Sequence, residues 1–65
     1  MSAPILAVPH LMALIVETHG SQAIYPSHGE FCVITVRDGG MVQGTSRYVR
    51  TLTGARRIAK KDAGL

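Results

Sequence analysis

Apolar and polar positions divide the chain into short elements, and the clearest of these covers residues 31–37. This stretch, Phe-Cys-Val-Ile-Thr-Val-Arg, is rich in β-branched and aromatic residues, and Asp38-Gly39-Gly40 follows it directly. A glycine-rich turn after such a stretch is typical of a β-hairpin. We therefore predict two strands, over residues 31–37 and 41–50, joined by a tight turn.

The length of this turn sets the register of the hairpin. A three-residue loop makes Val36 face Val42, whereas a two-residue Gly39-Gly40 loop matches apolar residues less well. The first register turns Tyr48 inward and puts Met41 on the opposite face. The predicted core face then holds Cys32, Ile34, Val36, Val42, Gly44, Ser46 and Tyr48. Gly44-Thr45-Ser46 predicts a bulge in the second strand.

The N-terminal half is less regular. Two prolines, Pro4 and Pro9, favour an extended lead-in over residues 1–9. Residues 11–18 are apolar without clear alternation, and their β-branched residues favour a strand; a short buried helix that starts at Pro9 is the alternative. A second brief strand is predicted over residues 23–25, followed by a loop over residues 26–29.

The C-terminal segment has helical periodicity over residues 52–63. Thr51 to Thr53 offer N-cap side chains, and Gly64 is a stop signal. At 100° per residue, one arc of the helix is apolar (Leu52, Ala55, Ile58, Ala59 and Ala63) and another is basic (Arg56, Arg57, Lys60 and Lys61). The expected fold class is α+β: a single domain over residues 1–65, in which a small antiparallel sheet of three to four strands packs against one C-terminal amphipathic helix.

Charge is distributed unevenly along the 65 residues. The formal net charge is +3, yet residues 1–36 contain two glutamates and no Lys or Arg, whereas residues 47–65 contain six cations and one aspartate. An ordinary solvated helix face would interleave acidic residues at four-residue spacing, and this helix does not. The candidate partner-binding residues are therefore Arg47, Arg50, Arg56, Arg57, Lys60 and Lys61, and the expected partner is anionic.

Several classes of protein do not match the sequence. The apolar N-terminus lacks the positive charge of a secretory signal, and it is too short and too interrupted by proline to span a membrane. We expect a cytoplasmic protein of a bacterial host cell, with no membrane association. No internal disulfide can form because Cys32 is the only cysteine, which we expect to be buried and reduced. So small a core is compatible with a homodimer.

Catalytic and metal-binding patterns are equally weak. The histidines at positions 10, 19 and 28 have no recognised zinc spacing with Cys32, and the carboxylates are scattered. Asp38-Gly39-Gly40 lacks the spacing and the lysine of a phosphate-binding loop. We expect no enzyme activity, no cofactor and no metal.

One segment resembles a known group of proteins. Thr51-Leu52-Thr53-Gly54-Ala55-Arg56-Arg57-Ile58-Ala59, which follows a predicted strand directly, resembles the strand-to-helix junction of small phage-encoded anti-CRISPR proteins. The resemblance implies a compact inhibitor that binds a CRISPR effector complex, or another acidic protein surface, and blocks target DNA binding. It implies contacts through Arg56 and Arg57, with Lys60 as a further candidate.

Two functions are consistent with these residues. The first is the non-enzymatic phage-type inhibitor, and the alternative is a small basic module that binds nucleic acid phosphates without sequence preference. The predicted inward position of Tyr48 leaves few exposed aromatics for stacking, and no helix-turn-helix, zinc-finger or RNP pattern is present. Both observations favour the inhibitor.

Overall fold

The computed structural model, which describes residues 4–65, has an α+β fold with an antiparallel sheet and a C-terminal helix, as predicted. The sheet has six strands, so the expected three to four is too few. The elements are β1 (Ile5–Leu6), α1 (Pro9–Met12), β2 (Glu17–His19), β3 (Gln22–Ser27), β4 (Glu30–Arg37), β5 (Gly40–Val42), β6 (Arg47–Val49) and α2 (Leu52–Asp62). Strand order is β1-β5-β4-β3-β2, and β6 also pairs with β4.

The N-terminal predictions need correction. Of the lead-in expected over residues 1–9, residues 1–3 lie outside the described residues, and Ile5–Leu6 forms β1 by pairing with β5. The strand expected over residues 11–18 was wrong: its first residues belong to α1, which has Pro9 at its first position, and only its end enters β2. Leu11, Met12 and Ile15 pack onto the sheet, and their spacing fits a helical turn better than a strand.

The β3–β4 and β4–β5 hairpins are closed by two-residue turns in which each central residue has a positive φ. His28 and Gly29 join β3 to β4, and Asp38 (φ 52°) and Gly39 (φ 78°) join β4 to β5. Two successive positive φ values are the hallmark of the type I′ turn, which matches the twist of the strands. The predicted three-residue loop was therefore wrong: Val36 faces Met41, and Met41 joins the face of Cys32.

The strand expected over residues 41–50 is interrupted, as the Gly44-Thr45-Ser46 sequence predicted. β5 and β6 both pair with β4, and residues 43–46 leave the ladder between them. The Thr45 hydroxyl bridges this interruption, since Oγ1 accepts from the Thr35 backbone N–H at 3.1 Å and donates to the Val42 carbonyl at 2.7 Å. Gly44 adopts a φ of 85°, a conformation that glycine tolerates best.

The sheet buries a small apolar cluster on each face. On one face α2 places Ala55 and Ala59, both fully buried, against Ile24 and Val33. The two alanines bring the helix backbone close to the sheet because their side chains are small. On the other face, the N-terminal segment around α1 covers a second buried cluster of Ala23, Tyr25, Cys32, Ile34 and Met41. Arg57, Lys60 and Lys61 of the basic arc are exposed on the side of α2 away from the sheet.

Candidate anion-binding surface

The six predicted cations do not form one surface, because the half-buried Arg47 binds other residues of the fold. Its guanidinium forms an ion pair with Asp62 at the end of α2, and Nη2 donates to Gln22 Oε1 at 2.5 Å. Gln22 is itself buried, and its Nε2 donates to Thr35 Oγ1 at 3.0 Å. Arg47 therefore connects β6, β3 and α2, and its charge is neutralised within the molecule by Asp62.

Arg56 is also paired. Its Nε donates to Glu17 Oε1 at 2.5 Å, and His19 Nε2 lies 3.8 Å from the same carboxylate oxygen. The hydrogen bond from Arg56 is the main reason that the pKa of Glu17 lies below its ordinary value. Glu17 and Arg56 are 39 positions apart in the chain. Spacing along the helix therefore gave no signal of this pair.

The remaining four cations are exposed and make no ion pair within residues 4–65. Arg57, Lys60 and Lys61 lie on the side of α2 away from buried Ala55 and Ala59. Arg50, the fourth, lies in the exposed link between β6 and α2. We call these four residues the basic surface: Arg50, Arg57, Lys60 and Lys61. The anion-binding capacity of the predicted site is concentrated in them.

Tyr48 does not have the environment that the sequence predicted. It shares a face with Cys32, its partner across the ladder, yet 57% of the residue is exposed. β6 is an edge strand that pairs only with β4. The apolar residues that cover this face pack over the cluster around Tyr25 and Cys32 and not over Tyr48: they are Val8, Leu11, Met12, Ile15 and Val36. Tyr48 is thus an accessible aromatic ring two residues before Arg50.

A cleft opens on the same face of the sheet. Its volume is about 180 Å³, and it lies between the N-terminal segment and the interruption in the β5–β6 strand. Its lining is largely apolar and contains no charged residue: Leu6, Val8, Leu11, Tyr25, Ile34, Met41, Gln43, Gly44 and Ser46. Gln43 and Ser46 supply polar groups to a site that otherwise resembles a small hydrophobic pocket.

Tyr25 connects the cleft to Tyr48. Burial raises the pKa of the Tyr25 hydroxyl above its ordinary value, and the Cys32 thiol and the Tyr48 side chain next to it act in the same direction. Tyr25, Cys32 and Tyr48 are successive partners across β3, β4 and β6. Cys32 is fully buried in the middle of this row, as expected for a structural thiol.

The residues that the structure describes form neither a metal-ligand cluster nor a membrane-spanning helix. Within residues 4–65, no three His, Cys, Asp or Glu side chains come together as ligands for one ion. Neither α1 nor α2 has the length and the apolar character needed to cross a membrane.

Comparison with protein-family models, curated protein sequences and solved structures finds no match to this chain.

Proposed function

We propose that this protein binds nucleic acid without sequence preference, through the phosphate groups that contact its basic surface. The observation that carries the proposal is the set of four exposed cations that have no acidic partner within residues 4–65, although the carboxylates of Glu17 and Asp62 neutralise two neighbouring arginines. The other four cations are exposed and can contact an external anion. A helix face with three such cations supplies point charges for a polyanion.

The exposure of Tyr48 supports nucleic acid over a protein partner. The sequence favoured the inhibitor because few aromatics were expected at the surface and no known DNA-binding motif was present. The first of these grounds is weakened, since Tyr48 was expected to face inward and 57% of the residue is exposed. Proteins that bind single strands combine cations with exposed aromatic side chains. The anti-CRISPR resemblance implies contacts through Arg56, Arg57 and Lys60, of which Arg57 and Lys60 belong to the basic surface and Arg56 is paired with Glu17; it stays a prediction.

The decisive experiment measures oligonucleotide binding by fluorescence anisotropy with two charge-reversed variants. Arg57→Glu changes the basic surface, and Arg37→Glu makes the same change in charge at the end of β4, at an exposed residue that also makes no ion pair within residues 4–65. Loss of one phosphate contact and repulsion by the new carboxylate should weaken binding by roughly tenfold or more in Arg57→Glu. Arg37→Glu should retain most of the affinity.

Equal losses in the two variants would show that net charge matters and the position on α2 does not, and the proposal would be wrong. The inhibitor hypothesis predicts a different result. Stable binding to a purified CRISPR effector complex, without binding to free oligonucleotides, would support the inhibitor and exclude the nucleic-acid module. Thermal unfolding of each variant checks that the fold is retained.

A further inference from the structure

We infer that the face of the sheet opposite α2 binds an unstacked base of single-stranded nucleic acid, with Tyr48 as the stacking platform and the neighbouring cleft as the receptor for a second base. This inference rests on the proposed function and adds base contacts on one face of the sheet to phosphate contacts on α2, which packs on the other face. Arg50, in the link between β6 and α2, is the cation of the basic surface closest to Tyr48 in the chain. It also selects single strands over duplexes, because bases in a duplex are stacked and paired and cannot reach a flat side chain.

The position of Tyr48 is the first observation. The sequence predicted that Tyr48 faces the core, and 57% of the residue is instead exposed, beside the fully buried Cys32. Arg50 follows two residues later and is exposed at the start of the link to α2. A base that stacks on Tyr48 therefore has a cation close by in the chain for its phosphate. Stacking of this kind is tolerant of sequence because every base has a π-face.

The chemistry of the cleft is the second observation. Nucleobases are planar, uncharged and bordered by hydrogen-bonding groups, and the cleft is apolar, uncharged and contains Gln43 and Ser46 at its wall. An apolar cavity of about 150 Å³ is large enough for a benzene ring. At about 180 Å³, this cleft has room for a single pyrimidine-sized ring.

The cleft and Tyr48 are neighbours. Tyr25 lines the cleft, and the Tyr48 side chain lies beside the Tyr25 hydroxyl. Ser46, which also lines the cleft, precedes Tyr48 by two residues. Two successive bases of one strand can therefore occupy the platform and the cleft, with the backbone directed along the margin of β6 toward Arg50.

The test compares an oligo(dT) of about twelve nucleotides with a duplex of equal length, at one salt concentration. Tyr48→Leu removes the ring and retains an apolar side chain, and Tyr48→Phe retains the ring and removes only the hydroxyl. We expect Tyr48→Leu to weaken single-strand binding by about tenfold or more, and Tyr48→Phe to leave it unchanged. Duplex binding should be the same in both variants.

A second variant tests the cleft independently. Ser46→Leu adds an apolar side chain at an exposed residue of the cleft wall, and we expect it to weaken oligo(dT) binding while thermal unfolding stays close to that of the wild type. If Tyr48→Leu and Ser46→Leu both bind oligo(dT) as the wild type does, base contact is excluded and the phosphate-binding proposal stands alone. If the wild type binds neither probe, the proposed function fails and this inference fails with it.

Discussion

Glu17 accepts a hydrogen bond from Arg56 and lies within 4 Å of His19, so a single carboxylate neutralises part of the basic arc. Arg47 is neutralised in the same way by Asp62. At the scale of single residues, the sequence indicated which side chains are cationic, and it did not indicate which are available to a partner. Availability depends on contacts between β2, β6 and α2 that form only in the folded chain.

The Glu17–Arg56 pair makes stability depend on pH. Because the pKa of Glu17 is lowered from its ordinary value of 4.5 in the folded chain, the ionised carboxylate stabilises the fold. This contribution is fully present above pH 4.5 and is lost as the pH falls through the lower folded pKa. We expect Glu17→Gln to be less stable than the wild type at pH 7, and the difference to vanish in strong acid.

Urea unfolding at a series of pH values between neutral and strongly acidic measures this difference. Glu30→Gln is the matched control, because it removes a carboxylate that has no ion pair within residues 4–65. A stability difference for Glu17→Gln that stays constant into strong acid would contradict the ionic role of Glu17.

At the scale of elements, α2 is the part of the fold that the sequence described best. The predicted helix over residues 52–63 compares with Leu52–Asp62 in the structure, and Thr51 is the N-cap. At the other end, Gly64 (φ 76°) donates to the Lys61 carbonyl and Leu65 to the Lys60 carbonyl, which is the Schellman arrangement. Helix ends are local, so their signals lie within a few residues of one another.

The N-cap leads to a prediction with a close internal control. The Thr51 hydroxyl oxygen accepts a hydrogen bond from the Gly54 backbone N–H at 3.0 Å. Thr51→Ala should therefore lower the free energy of unfolding by about 1 kcal/mol. Thr53→Ala makes the same chemical change at an exposed position inside α2 and should be nearly neutral or slightly stabilising, since alanine is the better helix former. Urea unfolding measures both, and equal losses would contradict the capping role of Thr51.

The strands were harder to predict, and for identifiable reasons. β1 has two residues and exists only because β5 lies beside it, with Gly40 so close that a side chain there would meet the Leu6 carbonyl oxygen. The turn at Asp38 requires a positive φ at a residue other than glycine, which shifted the register from the expected one. In the segment over residues 11–18, tertiary packing on the sheet decided between helix and strand where the local sequence did not.

At the scale of the whole molecule, the two faces of the sheet pack against different segments of the chain. The N-terminal segment covers one apolar cluster and α2 covers the other. The uneven distribution of charge along the chain thereby becomes uneven in space, since three exposed cations lie on the outer side of α2. The separation of charge was predictable from the sequence. The exposure of Tyr48 at the edge of the sheet and the cleft beside it were not predictable, because both depend on how much of the sheet the N-terminal segment covers.

The most direct test of the account is the salt dependence of oligonucleotide affinity for the wild-type protein. Four cations that each displace a condensed counterion from a single strand predict a slope of about −3 when the logarithm of the association constant is plotted against the logarithm of the salt concentration. Arg57→Gln should make this slope shallower by about 0.7, because one phosphate contact is lost. A slope near zero in the wild type, or one that Arg57→Gln leaves unchanged, would contradict phosphate binding by the basic surface.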